Sequence, residues 1–366
     1  MFLALFLYSE TTVFIQFHGI LFLLVFVCAY RRKEIERKAK RSHLILIGLL
    51  IVFSLLNNLF HVGEVAEIKD VIPYTLFFIL TYFVCLLIDA QFVHTFCFLI
   101  CMEIVVGCFE FAAGVNTFFP ELSSRELKEF GGSEFLYKSR VFGLSNNSSQ
   151  LGEKCILLLI LSQFIKSKKI KVVCVLFATL GYALTFPRTA IIASLVFLVV
   201  MTWQNKKILL GYIISGAMFV YYFIDLIMIQ FFRGTGTIDL SKRDVIWPEF
   251  YRFFVESPLL GNGGFKYYID AMGKTDVHAH NSYLQVLVNQ GAIYFALMVL
   301  VFMFNVNKHN FKLLVPILVY SIYQTGIFWA ISLFDIVLYF LLFRLKGSHK
   351  TMFALDNGGQ QWKLKS

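Results

Sequence analysis

The sequence predicts an all-α polytopic membrane protein of about eleven transmembrane helices, with a large outer loop that carries an amphipathic interfacial helix. Three observations predict it. Hydrophobic residues fill 58% of the 366 positions and charged residues only 15%, where a soluble domain carries about a quarter charged. Apolar runs recur along the whole chain, many at or near the roughly 20 residues that cross a bilayer as a helix. The basic residues cluster in the short hydrophilic breaks between those runs, as in the cytoplasmic loops of membrane proteins.

Spans are expected at 13–30, 43–60, 71–89, 92–112, 151–165, 172–186, 189–203, 208–231, 282–305, 312–325 and 327–345. The first begins on an apolar stretch without a basic segment or a small-residue cleavage site, so it reads as retained and not as a signal peptide. Basic breaks follow at Arg31-Arg32-Lys33 through Arg41, Lys166 to Lys171, Lys206-Lys207, Lys308 to Lys312 and the tail from Arg344. Placing all five in the cytoplasm puts the N-terminus outside and the C-terminus inside, with no cluster forced. The last two spans form one 34-residue stretch broken near Gln324-Thr325-Gly326. No segment is long enough for a separate soluble domain, so residues 1–366 are read as one integral membrane domain.

The net charge of +10 is therefore a topology signal. No base-stacking aromatics interleave the basic clusters, which excludes nucleic acid as a partner. The seven cysteines (28, 85, 97, 101, 108, 155 and 174) lie in or beside apolar spans, with no Cys-x-x-Cys pair. They read as buried, hydrophobe-like thiols and not as disulfides or zinc ligands.

The same threading leaves a first outer loop at 113–150 and a second at 232–281. The second holds six basic and six acidic residues; long loops escape the positive-inside bias and often carry function. Within it, Ser241 and Asp244 have the spacing of a capping box, and Pro248 falls early enough in the helix to be tolerated. Ile246, Phe250, Phe253 and Phe254 share one face with Trp247 and Tyr251 beside it, and Ser257-Pro258 and Gly261-Asn262-Gly263-Gly264 end the helix. Such a helix lies along the outer interface, either as a simple anchor or as part of a site.

Three residues stand out by position. Arg188, in Phe186-Pro187-Arg188-Thr189, caps the tight outer turn between two spans; at mid-membrane an arginine costs about 2.5–3.5 kcal/mol, and at the interface little. Arg243 opens the amphipathic helix, and His280, in His278-Ala279-His280-Asn281-Ser282, stands where the outer loop re-enters the membrane. Taken singly, these read as a snorkelling anchor, a solvated arginine and a residue beside the helix-capping Asn281. Together they supply two planar guanidinium forks that match phosphate oxygens and an imidazole that accepts a proton near neutral pH. The helix after Asn281 adds its positive dipole end. Such a set suits a diphosphate leaving group and a hydroxyl nucleophile.

Other templates fail. Gly261-Asn262-Gly263-Gly264 lacks the spacing and the Lys-Ser/Thr of a phosphate-binding Walker loop. His278 and His280 are too close for i, i+4 zinc ligation, so no metal site is expected. Glu10, Asp89, Glu103, Glu110, Asp225 and Asp335 lie in or near spans, and intramembrane carboxylates can mark a transport path.

From Lys242 to Gly291 the chain resembles the superfamily of O-antigen ligases and Wzy-type polysaccharide polymerases. Arg243, Trp247, Ser257-Pro258-Leu259, Gly261-Asn262-Gly263, His280-Asn281-Ser282-Tyr283-Leu284 and Gly291 appear in that family's order. Phe186-Pro187-Arg188-Thr189-Ala190 resembles its serine-arginine-threonine turn, with Phe186-Pro187 replacing the usual small polar residues. Arg140 through Gly143-Leu144-Ser145-Asn146 resembles an element at the end of the first outer loop.

The resemblance implies a membrane glycosyltransferase of GT-C-like fold in the bacterial cytoplasmic (inner) membrane, its active site facing outward. It would move glycan from undecaprenyl diphosphate to a sugar hydroxyl without metal or cofactor. His280 would be the general base, Arg188 and Arg243 would bind the diphosphate, and Arg140, Asn281 and His278 would support them. The expected activity is that of a polymerase in O-antigen, capsule or exopolysaccharide biosynthesis. A ligase shares these parts, and a lipid-linked oligosaccharide flippase is the second alternative. The implied partners are the undecaprenyl-diphosphate-linked oligosaccharide, membrane lipid, and export proteins such as a flippase and a chain-length regulator.

Overall fold

The computed structural model describes residues 24–61, 68–119, 140–145, 147–222, 224, 225, 228, 242–263, 269–271, 274–324, 326, 327, 332–345, 353, 354, 361 and 362. Its helices include α1 (Arg32–Lys38), α2 (Arg41–Phe60), α3 (Ile68–Leu87), α4 (Ala90–Ala113), α5 (Ser148–Ser162), α6 (Lys168–Thr185), α7 (Arg188–Thr202), α8 (Lys206–Tyr222), α9 (Arg243–Glu256), α10 (Ser282–Asn305), α11 (Lys308–Tyr323) and α12 (Leu333–Arg344). Two short antiparallel hairpins accompany them, β1 (Ile269–Ala271) with β2 (Lys274–Val277) and β3 (Phe353–Ala354) with β4 (Gln361–Trp362).

Among the described residues α2, α4 and α10 are long and apolar enough to cross a membrane, and Phe78–Leu87 and α7 are shorter apolar helices. The pattern is that of a multi-pass membrane protein. Helices α5 and α12 run through the centre, and α12 is buried from Leu333 to Phe343. The surrounding helices turn apolar residues outward: Leu44, Ile45, Leu49, Val52 and Leu56 on α2, and Val172, Val173, Leu176 and Leu180 on α6. A surface this apolar suits lipid and not water.

The helix ends differ from the expected spans by a few residues because caps, not hydropathy, set them. Asn147 accepts from the amides of Ser149 and Gln150 and starts α5 at Ser148, and Asn307 forms a capping box with Asn310 that starts α11 inside the basic cluster. Ser332 caps α12, which opens at Leu333 and not at 327. The expected first span, the two outer loops and the end of the 208–231 span fall partly outside the described residues. All seven cysteines are free thiols, buried or half-buried.

Carboxylates in the apolar helices have structural partners. Asp89 caps α4 by accepting from Phe92 N at 2.7 Å, and the Ser332 hydroxyl donates to Asp335 Oδ2 at 2.9 Å. Glu103 and Lys154, both buried, form an ion pair at 2.8 Å, and the Ser145 hydroxyl donates to Glu103 at 2.6 Å. Glu110 accepts from the amides of Phe118 at 3.0 Å and Gly143 at 2.7 Å. Removing one partner of such a buried pair costs about 3–5 kcal/mol. These groups therefore pin the 140–145 segment onto α4 and α5. Glu10 lies outside the described residues, and Asp225 is exposed.

Helix α10 is broken at Gly291, whose φ of 75° and ψ of 178° interrupt the hydrogen-bond ladder. The 257–263 loop repairs the break. Pro258 O and Leu259 O accept from Ala292 N and Ile293 N, at 2.8 and 3.3 Å, and Asn262 N and Gly263 N donate to Val288 O and Asn289 O, at 2.8 and 2.9 Å. Backbone groups inside an apolar slab must be satisfied within the protein, and here a loop satisfies those a helix leaves open. The glycine-rich turn that was expected only to end α9 is therefore docked into α10. On the other side, Asn57 of α2 donates to Gln290 Oε1 at 3.2 Å, and Gln290 donates to Asn58 at 3.1 Å. The break leaves a short first half of α10, whose C-terminal end is bonded from both sides.

Candidate functional site

The β1–β2 hairpin leads through Val277 into His278-Ala279-His280, and α10 starts two residues later. Asn281 caps that helix as expected, its side chain accepting from Tyr283 N and Leu284 N, both at 3.0 Å. The capping turn forces His280 to a φ of 49°, a left-handed conformation that costs a non-glycine residue about 1–3 kcal/mol and persists only where surroundings fix it. They do so here. Ala279 N donates to Gln285 Oε1 at 3.0 Å, Ala279 O accepts from Trp247 Nε1 at 2.9 Å, and His280 N donates to His278 Nδ1 at 3.2 Å. The two imidazoles lie 3.8 Å apart between centroids, and His280 Nδ1 is 3.4 Å from Gln324 Oε1.

Arg243 is the first residue of α9. The cap differs from the expected capping box: Lys242, at a φ of 63° and with no side-chain cap bond, holds the N-cap position. Ser241 lies outside the described residues. Asp244 in the first turn compensates by placing negative charge at the positive end of the helix. The face formed by Ile246 and Phe250 is buried against Ala279 and Val288, with Trp247, Phe253 and Phe254 packed beside it. So α9 spends that face on α10, while Val245, Tyr251 and Val255 remain exposed. This docking aims Arg243 at the end of α11, where its guanidinium donates to Tyr323 O at 2.7 Å. Trp247 stacks on Tyr323 at 6.2 Å.

Arg188 is the first residue of α7, after Phe186 at a φ of 42° and the N-cap Pro187. Pro187 packs directly over Gly152 of α5, where no side chain fits, and α7 then runs along α11. The Tyr320 hydroxyl of α11 is 3.5 Å from both Ser149 O and Glu153 Oε2 of α5. Arg140 enters the same end of the bundle. Asn116 donates to Arg140 O at 2.7 Å, and Val141 N donates to Leu184 O at 3.4 Å, beside the α6–α7 turn.

Arg243 and His280, 37 positions apart by their numbering, therefore converge on consecutive residues, Tyr323 and Gln324. His278 and Asn281 buttress His280, and Arg188 and Arg140 stand at the same end of the helices. Gln324, Tyr320 and Glu153 were not singled out by sequence. The only local signals were a polar break at Gln324 and a carboxylate one turn into the apolar α5. Among the described residues no three His, Cys, Asp or Glu side chains gather where they could hold a metal ion.

No curated protein matches the chain at a significant level. A family model described as O-Antigen ligase (Wzy_C) matches residues 173–299, a stretch that contains Arg188, Arg243, His278, His280, Asn281 and Gly291 but neither Arg140 nor Gln324. Proteins of this ligase and polymerase family are multi-pass membrane enzymes that transfer lipid-linked glycans. Over residues 173–299 this chain is thus similar to the O-antigen ligase (Wzy_C) family.

Proposed function

We propose that the chain is a polysaccharide polymerase of the bacterial cytoplasmic membrane, with about eleven spans and its site facing outward. It transfers glycan from undecaprenyl diphosphate to the hydroxyl of an acceptor sugar. One observation carries the reading: a guanidinium and an imidazole from separate elements are held at adjacent residues of α11, Arg243 on Tyr323 and His280 on Gln324. His280 takes the proton of the acceptor hydroxyl as its oxygen bonds to the anomeric carbon. The bond from that carbon to the diphosphate oxygen breaks, and the charge that develops on the leaving diphosphate is met by Arg188 and Arg243. Charge fixed in place before the reaction commonly lowers such barriers more than any other device. The partnered carboxylates Asp89, Glu103, Glu110 and Asp335 favour an enzyme over a flippase, which would need them free along a path.

A deletion strain tests the assignment. Single repeats should accumulate on the lipid carrier at the outer face. Unattached polymer would instead identify a ligase, and repeats retained on the inner leaflet a flippase.

The arginine pair gives a sharper result. Were the two guanidinium groups only anchors, lysine would serve, since charge and reach are retained. A diphosphate grip loses its two-pronged hydrogen bonding with lysine, about 1.5–3 kcal/mol per charged bond. Arg188→Lys and Arg243→Lys should each cut turnover at least about tenfold with insertion unchanged. Wild-type turnover in both variants on a lipid-diphosphate donor would return them to the anchor role.

A further inference from the structure

We propose that Gln324 is the positioning residue for His280: it selects the imidazole tautomer and leaves Nε2 as the atom that takes the acceptor proton. The inference rests on the reading of His280 as the base, and it concerns a residue beyond the matched family stretch, which ends at 299.

The side-chain carbonyl of Gln324 can only accept a hydrogen bond. Its approach to His280 Nδ1 at 3.4 Å therefore requires the hydrogen on Nδ1 and leaves the lone pair on Nε2. A general base works best when its tautomer and its ring plane are both fixed, which is the part played by the third member of a catalytic triad. His278 Nδ1 already accepts from the main-chain N–H of His280. That bond orients the backbone and not the ring.

Gln324 is itself held by its main chain. Its carbonyl accepts from the Ser282 hydroxyl at 3.1 Å, and the same hydroxyl accepts from Gly326 N at 3.0 Å and Ile327 N at 3.2 Å. The break between α11 and α12 is thereby tied to the first residue of α10, next to the base. The preceding residue, Tyr323, takes the Arg243 guanidinium on its carbonyl. One turn of chain thus sets the base and one of the diphosphate-binding arginines in mutual register.

Among the described residues, the charged and titratable groups at this end of the bundle include His278 on the same loop, Arg243 on α9, Tyr320 and Tyr323 on α11, Glu153 on α5, Arg188 on α7 and Arg140 before α5. The element against His280 Nδ1 offers it the neutral Gln324, so a carboxylate introduced there acts on the ring directly.

The test compares Gln324→Glu and Gln324→Ala in membranes, with undecaprenyl-diphosphate-linked glycan extracted from the deletion strain as donor. Gln324→Glu keeps the acceptor atom and adds a negative charge that favours imidazolium. The acid limb of its kcat/KM profile should move to higher pH by about one unit, with near-normal turnover on the alkaline side. Gln324→Ala should lose kcat about tenfold or more with KM for the donor little changed. Gln324→Glu is near-isosteric and leaves the carbonyl that holds Ser282, so it decides the matter even if Gln324→Ala fails to accumulate. A wild-type pH profile in Gln324→Glu overturns the proposal. His280→Ala measured alongside separates the two layers: full activity in that variant removes the base itself, whereas its inactivity beside an unshifted Gln324→Glu profile removes only the role of Gln324.

Discussion

His280→Ala should abolish polymer formation while the protein still accumulates in the membrane. General-base assistance contributes about 10²–10⁴-fold to such transfers, and the loss should fall at the large end because the imidazole is so strongly fixed. Its backbone is strained to a φ of 49°, and three neighbouring segments, at Trp247, Gln285 and Gln324, hold the 279–280 turn in that shape. Alanine relieves none of the backbone strain and removes only the ring, so stability should change little. His278→Ala should be milder, since it deletes an acceptor for one amide and a stacked neighbour, not the base. Polymer length on gels, normalised to protein in the membrane fraction, measures both. Near-normal polymer in His280→Ala would sink the assignment.

Gly291→Ala is expected to damage folding and not chemistry alone. At a φ of 75° and a ψ of 178° the residue occupies backbone space that is essentially reserved for glycine, a strain of about 1–3 kcal/mol for any other residue. A Cβ at 291 would also run into the Leu259 carbonyl and come within 2.6 Å of Gly261 N. To escape, the 257–263 loop must leave the kink, and the four backbone bonds it makes there are lost. Each is worth about 0.5–1.5 kcal/mol net, and more once its partner is stranded away from water. Detergent-solubilised Gly291→Ala should therefore melt well below the wild type and accumulate poorly. Gly48→Ala on α2, where a Cβ meets nothing within 4 Å, is the matched control and should be neutral. Equal melting of the two variants would show that the kink is not what the loop holds in place.

Much of the helical layout was legible in the chain. Hydropathy located α10 to the residue, 282–305, because Asn281 stops the helix at one end and the apolar run stops at the other. It located α5, α6 and α11 less well, since their first turns are polar or basic and are recruited by the caps Asn147, Ser167 and Asn307. The candidate residues were also visible: an arginine opening each of two helices, and a histidine beside a cap, are local features with local reasons.

Their company was not visible. Gln324 lies 44 positions from His280 and reaches it only because α10 and α11 pack antiparallel, with the turn after α11 bonded to Ser282. The glycine run at 261–263 read as a helix terminator, because nothing near it in sequence shows that α10 opens at Gly291 to receive it. Glu103 and Glu110 kept a transport path open as an alternative, because a sequence shows the cost of a buried charge and not the Lys154 and amide groups that offset it. Local periodicity and capping depend on the few residues around a position, and these the sequence determined. The partners of a buried polar group are decided by helices that meet from far along the chain, and only the tertiary structure decided those.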